Sequence, residues 1–181
     1  MARVPYVTQD ELDPEYRDHI VSSLQPGKTL NVYSAIGNNQ SVLDGLREFL
    51  GALWNHSGLT DRQREIVILT TSSEIDSTYE WHQHVNIATD AGLEPAEIDA
   101  IARDDRRSLS EVERALVAYT RAVVRGRVTD ALHDAVVEYV GEETAVGAAA
   151  VAAGYLALGR LIDAFAVEIE AGDTFAGWEL E

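Results

Sequence analysis

Glu80 and His84, within Tyr79-Glu80-Trp81-His82-Gln83-His84, are residues whose types and spacing can move a proton. Four positions apart on a helix, they share a face, about 40° apart around the axis and one turn along it. Imidazole is the side chain that titrates near neutral pH without perturbation. A second carboxylate, Glu65, lies upstream in Arg64-Glu65-Ile66-Val67-Ile68-Leu69. If the two helices pack as a hairpin, Glu65 reaches His84. The spacing then predicts three roles. His84 is a general acid/base, Glu65 orients its imidazole, and Glu80 is a further proton carrier whose pKa rises if its surroundings are dry. Such a site has a bell-shaped pH profile. The competing reading is an exposed i,i+4 pair that contributes only about 0.2–0.5 kcal/mol.

The neighbours of Glu80 point elsewhere. Tyr79 and Trp81 are turned about 100° from its face, which predicts core packing or a pocket wall for Trp81 and a hydrogen bond to a developing enolate for Tyr79. Arg62 is either a bidentate carboxylate ligand for an acidic substrate or part of a solvated helix start. Tyr155 and Arg160 are lesser candidates of the same kind. His82 and His84 diverge too far on a helix to share a metal, and there is no His-Glu-x-x-His pattern. Glu65, Glu80 and His84 as a carboxylate-rich metal set is the minor alternative. The expectation is no metal and no cofactor.

The elements that must hold these residues are helical. Prolines occur only at Pro5, Pro14, Pro26 and Pro95, near expected helix starts or loops. Helices are expected over Glu11–Leu24 and Asn31–Ile36. Another, capped by Ser41, runs to about Asn55, and one follows from Thr60-Asp61 to about Ser73. The Glu80/His84 helix begins near Ser77 and ends at Gly92. Further helices are expected from Pro95, from Ser110 to about Val124, and over Thr129–Val140. A long final helix spans Glu142 to about Ala171, continuous or broken near Gly154. Gly147, Ala150, Gly154 and Gly159 give that helix a small-residue face, suited to tight core packing or to a subunit seam. Residues from Trp178 to Glu181 read as an exposed tail or a strap.

The chain has 181 residues, 46% of them hydrophobic, which fits one domain with a proper core. It has no cysteine, which excludes disulfides, thiol catalysis and thiolate metal sites. The net charge is −17, and Lys28 is the only lysine among 31 acidic residues. That charge repels nucleic acid and anionic membranes and suits a salt-rich interior, predicting a halophilic source. No apolar run reads as long enough for a membrane span, and no signal core is seen at the N-terminus, so the expected location is cytoplasmic.

Taken together, these segments resemble the carboxymuconolactone decarboxylase and alkylhydroperoxidase-D superfamily. The likeness runs from Arg3-Val4-Pro5-Tyr6 through Leu30-Asn31-Val32-Tyr33, the Glu65 helix, Tyr79-Glu80-Trp81 with His84, and Ala91-Gly92-Leu93, ending near Gly154-Tyr155. It implies an all-α fold of about eight to nine helices, as one domain over 1–181 with an N-terminal helical extension of about 1–38. The peroxidase branch uses a Cys-x-x-Cys pair whose positions fall here on Ser77 and Glu80, so its thiol mechanism is closed to this chain. The decarboxylase branch has an acid four residues before its histidine, which is the Glu80/His84 arrangement. Tyr33 lies in a shared segment and is a candidate for the pocket. The resemblance therefore implies cofactor-free acid/base chemistry, of a decarboxylation or isomerisation type, on a small organic acid or lactone. It also implies a homo-oligomer (dimer, trimer or hexamer). A non-catalytic binding or scaffold protein is the first rival, and hydroperoxide reduction without cysteine the second.

Overall fold

The computed structural model describes residues 1–24 and 27–173. Eight α-helices carry the described residues: α1 (Asn31–Ile36), α2 (Gln40–His56), α3 (Asp61–Glu74), α4 (Thr78–Asp90), α5 (Pro95–Ala102), α6 (Glu111–Val124), α7 (Asp130–Val140) and α8 (Glu142–Phe165). Short 3-10 turns occupy Gln9–Glu11, Pro14–Ile20 and Arg106–Ser108. Among the described residues there is no sheet, only an isolated bridge between Val21 and Thr29. The fold is all-α, as the sequence predicts.

Helix starts follow local chemistry. The Thr60 and Ser110 hydroxyls accept from the backbones of Gln63 and Glu113, whose side chains reach back in capping boxes, and Ser77 and Thr129 cap α4 and α7. Three expectations need correction. A single helix over Glu11–Leu24 does not form. Proline disfavours helical backbone in the preceding residue, and Asp13 is accordingly non-helical (φ −58°, ψ 147°), so two 3-10 turns replace the helix. Helix α2 is capped by Asn39 rather than Ser41, its side chain accepting from Val42 N at 3.3 Å. Helix α8 is unbroken at Gly154 and stops at Phe165, where Ala166 turns left-handed (φ 49°). The expected C-terminal tail lies outside the described residues.

Helix α3 is the axle. Nine consecutive residues, Arg64 to Ser72, are buried, because α4, α5, α6 and α8 all pack on it. Val67 and Ile68 join one apolar cluster with α2, α6 and α8, while Ile66 and Leu69 join another with Trp81, Leu93 and Ile101. Two of its C-terminal hydroxyls are satisfied within the helix, Thr71 and Ser72 donating to the Val67 and Ile68 carbonyls at 2.9 Å.

Helix α8 has the length and hydropathy of a membrane span (mean hydropathy 1.7), contrary to the expectation that no run qualifies. Its apolar surface is used in the core, against α2, α3, α6 and α7. The glycines make this possible. A methyl at Gly147 overlaps the Ser57 carbonyl oxygen, and one at Gly159 overlaps Ile75 Cδ1 and lies 3.1 Å from Glu80 Oε2. These glycines therefore serve core packing, the first of the two roles expected of them. On the outer faces, Val42 and Phe49 of α2 and Val146 of α8 are exposed.

The two ends of the described chain are tied together. Arg3 N donates to Phe165 O at 2.8 Å, and its guanidinium donates to Asp163 O and Ala164 O. The N-terminal ammonium pairs with Glu168 at 2.9 Å, and Glu168 N donates to the Tyr6 hydroxyl. Buried Glu170 accepts from Asn31 N (2.8 Å), Tyr79 Oη (2.6 Å) and Gln83 Nε2 (2.6 Å).

Close packing against backbone gives the first prediction. Gly147→Ala cannot be relieved by a side-chain shift, so it should cost about 3 kcal/mol and lower Tm by roughly 6–12 °C. Gly45→Ala, on an exposed helical face with nothing within 4 Å of the new methyl, should raise Tm by roughly 2 °C. Thermal melts of both variants check the contrast, and a Gly147→Ala protein as stable as wild type refutes the packing.

Candidate active site

The α3–α4 hairpin brings Glu65 and His84 together. His84 Nδ1 and Glu65 Oε2 are 2.8 Å apart, with Glu65 0% exposed and His84 buried. A carboxylate only accepts, so the bond has Nδ1–H donating. Nε2, which makes no hydrogen bond to any described residue, is then the nitrogen left for a ligand. On the other side of Glu65, Arg64 Nε lies 3.6 Å from Oε1. That is too long for a hydrogen bond but close enough to offset a buried charge. Arg64 is itself fixed, its guanidinium 3.9 Å above the Trp54 ring and donating to Trp54 O at 3.2 Å. Trp54 and Tyr155 then flank the imidazole, at ring-centroid distances of 6.3 and 5.1 Å, Tyr155 edge-on.

His84 forms part of the wall of a cavity of about 380 Å³. Tyr33 and Leu30 contribute from α1 and its approach, Arg47, Leu50, Gly51, Trp54 and Asn55 from α2, Gln83, His84 and Ile87 from α4, and Tyr155 from α8. Residues 22–24 complete the wall. The volume falls within the range of small-molecule sites.

Glu80 is placed differently. It is 2% exposed, neither carboxyl oxygen has a hydrogen-bond partner, and its near neighbour is Gly159 of α8. Burial pushes its carboxyl well above the usual range. It makes no direct bond to His84 and does not line the cavity, so the i,i+4 spacing places both on the inner side of α4 without pairing them. Burial likewise pushes up the Tyr155 phenol, with Tyr33, Glu65 and Glu80 within electrostatic reach.

Of the substrate-binding expectations, Tyr33 lines the cavity and three residues do not. Arg62 is occupied elsewhere, its guanidinium held by Glu97 (2.7 Å), Glu113 (2.7 Å) and the Gly92 carbonyl. Trp81 is fully buried among Leu69, Leu93 and Ile101, as core. Tyr79 donates to Glu170 and accepts from Val32 N, which spends its hydroxyl on structure. Arg160 is exposed and pairs with Asp163 at 3.5 Å. Among the described residues no three His, Asp or Glu side chains converge in a metal-binding cluster.

The model of the carboxymuconolactone decarboxylase family matches residues 40–122, from α2 through most of α6. The fold is shared with the alkylhydroperoxidase AhpD core of an uncharacterized peroxidase-related protein from Ralstonia eutropha JMP134. That structure is 21% identical with a TM-score of 0.83, the match covering 94% of this chain and 93% of that one. Residues 40–122 thus carry the carboxymuconolactone decarboxylase family pattern, within a helical fold shared with the AhpD core. The debrominase Bmp8 has the same fold: a variant in complex with 2,3,4-tribromopyrrole is 20% identical with a TM-score of 0.76, covering 93% of this chain and 91% of that one. Its apo form is 19% identical, with the same TM-score and coverages of 94% and 91%. No curated protein matches the sequence.

At the two positions where the peroxidase branch's Cys-x-x-Cys spacing falls, this chain has Ser77 as the cap of α4 and Glu80 as a buried acid. Two cavity residues, Arg47 and Trp54, were not singled out by sequence reasoning. The signal was there: Arg47 lies four after Leu43 and three before Leu50, both buried. A cation interrupts an otherwise apolar, inward stripe.

Glu80 gives a prediction whose sign is fixed. Ionising it costs the folded state and not the unfolded one. Its contribution is therefore intact below the unfolded carboxyl pKa, about 4.3, and is lost as pH rises through the raised folded value. Glu80→Gln removes the titration at nearly constant shape. The variant's Tm, relative to wild type, should rise as pH increases above about 4; a difference that does not change with pH contradicts a buried acid with a raised pKa.

Proposed function

We propose that this protein is a cofactor-free acid/base enzyme acting on a small organic acid, lactone or related carbonyl compound, by proton transfer of a decarboxylation or isomerisation type. The observation that carries the reading is the buried 2.8 Å Glu65–His84 bond at the wall of an aromatic-lined cavity. Proton transfer needs a base whose free lone pair faces the substrate and whose conjugate acid is stabilised. Glu65 holds Nδ1–H and compensates the imidazolium that forms when Nε2 takes a proton. Trp54 and Tyr155 against the ring lower the local dielectric, which strengthens that compensation. A substrate that delocalises its own developing negative charge needs no further electron sink. Glu80, whose carboxyl burial pushes up, lies one turn from His84 on α4 and outside the cavity wall, so it does not meet the substrate directly.

The reading also draws on the superfamily, whose decarboxylase branch is similar in its acid–histidine spacing. The absence of cysteine disfavours thiol-dependent peroxide reduction. The rival is a helical binding protein that keeps the cavity without turnover.

The test is a panel of keto acids, lactones and unsaturated acids, followed by proton NMR in deuterated buffer for exchange at carbon and loss of carboxylate. Turnover is expected for at least one class. His84→Ala and Glu65→Gln should each lower kcat by about 10²–10⁴-fold while both proteins keep the wild-type circular dichroism spectrum. Binding of panel members without exchange or turnover supports the binding protein instead, and turnover unaffected by His84→Ala sinks the proposed base.

A further inference from the structure

Among the described residues that line the cavity Arg47 is the guanidinium, and no described carboxylate pairs with it. The protein has 14 basic residues against 31 acidic ones, and ion pairs claim most of the arginines. Arg62 is held by Glu97 and Glu113, Arg121 and Arg125 by Glu74, Arg107 by Asp105 and Arg103 by Asp99. Arg47 makes no ion pair or hydrogen bond with any described residue. The acid one turn before it, Asp44, is engaged with His19 at 2.9 Å. The guanidinium instead lies 4.4 Å from the centre of the Tyr33 ring, half-buried in the cavity wall. A half-buried cation left unpaired on so acidic a protein is a poor choice for stability alone. It is what an anion-binding wall requires.

Its position along α2 also says what the anion is attached to. Arg47 and Trp54 are seven residues apart, hence on one face, two turns and about 10 Å along the axis. Trp54 flanks His84. A ligand whose anionic end pairs with Arg47 and whose other end meets His84 lies along a wall of Tyr33, Trp54 and Tyr155, which favours a flat, unsaturated body. The guanidinium fork fits a carboxylate in bidentate fashion.

We propose that Arg47 is the anion-recognition residue of this cavity, and that the substrate class is a planar, unsaturated carboxylate held by Arg47 with its reacting end at His84. This rests on the acid/base reading above for the reacting end only; the carboxylate subsite stands or falls separately. Arg62, the cation expected from sequence, has no part in it.

The test measures affinity by calorimetry for two matched probe pairs, benzoate with benzamide and sorbate with its amide, in wild type, Arg47→Gln, Arg47→Lys and His84→Gln. Wild type should prefer at least one carboxylate over its amide by about 10–100-fold. Arg47→Gln should abolish that preference with the thermal melt unchanged, and Arg47→Lys should keep part of it. In His84→Gln the preference should survive. Equal binding of acids and amides by wild type, or a preference indifferent to Arg47→Gln, overturns the proposal. If that happens while His84→Ala still abolishes turnover of a panel substrate, the acid/base reading stands without the subsite. If the carboxylate preference holds and no substrate turns over, the subsite stands and the catalytic reading falls.

Discussion

A carboxylate at the centre of a helical protein, with no solvent contact, cannot be left alone. Glu65 projects from a helix that four others cover, and an isolated ionised carboxylate in such a place costs many kcal/mol. Two neighbours offset it, the His84 ring at hydrogen-bond distance and the Arg64 guanidinium slightly beyond it. Arg64 in turn is held by Trp54 from beneath, and Trp54 and Tyr155 hold the imidazole from its sides. The need to compensate one buried charge therefore orders residues on α2, α3, α4 and α8 at once. The cavity is the space those residues leave on their outer side.

The same compactness explains the two kinds of buried acid. Glu65 and Glu80 both face inward, yet only Glu65 has cations within reach. Glu80 meets the small-residue face of α8, where Gly159 lets the helix approach its carboxyl closely and neither oxygen finds a hydrogen-bond partner among the described residues. One acid has a cation and an imidazole beside it while burial pushes the other's carboxyl up, a difference of surroundings rather than of residue type.

Most of the fold was legible in the sequence because its signals are local. Thr60 with Gln63 and Ser110 with Glu113 spell capping boxes, Ser77 and Gly92 bracket α4, and the apolar periodicity between them fills in the helices. The stretch before residue 31 was misread because its composition suits a helix while Pro14 forbids one through Asp13. At the site, Glu65 and His84 could be paired from spacing once a hairpin was assumed. Partners across the fold could not. Nothing in the sequence around Arg62 shows that Glu97 and Glu113 will close on it, and nothing around Arg47 shows that no acid will. Whether a cation is spent or free is decided by tertiary contacts, which is why the sequence pointed to one arginine and the structure to another.

The knot between the chain's two ends has a consequence for the cavity. Residues 22–24, Leu30 and Tyr33 form its N-terminal side, while Glu170 grips both the start of α1 and Gln83 on the far wall. Met1, Tyr6, Lys28 and Asn31 are thus tied to residues 168–173 beside the cavity. Far apart in sequence, these segments share their contacts, and a change that frees one of them removes support from the cavity's N-terminal side as well. Residues 168–173 thereby act on a pocket they do not line, through Asn31 and Gln83, and a change at Glu170 is felt on two of its sides.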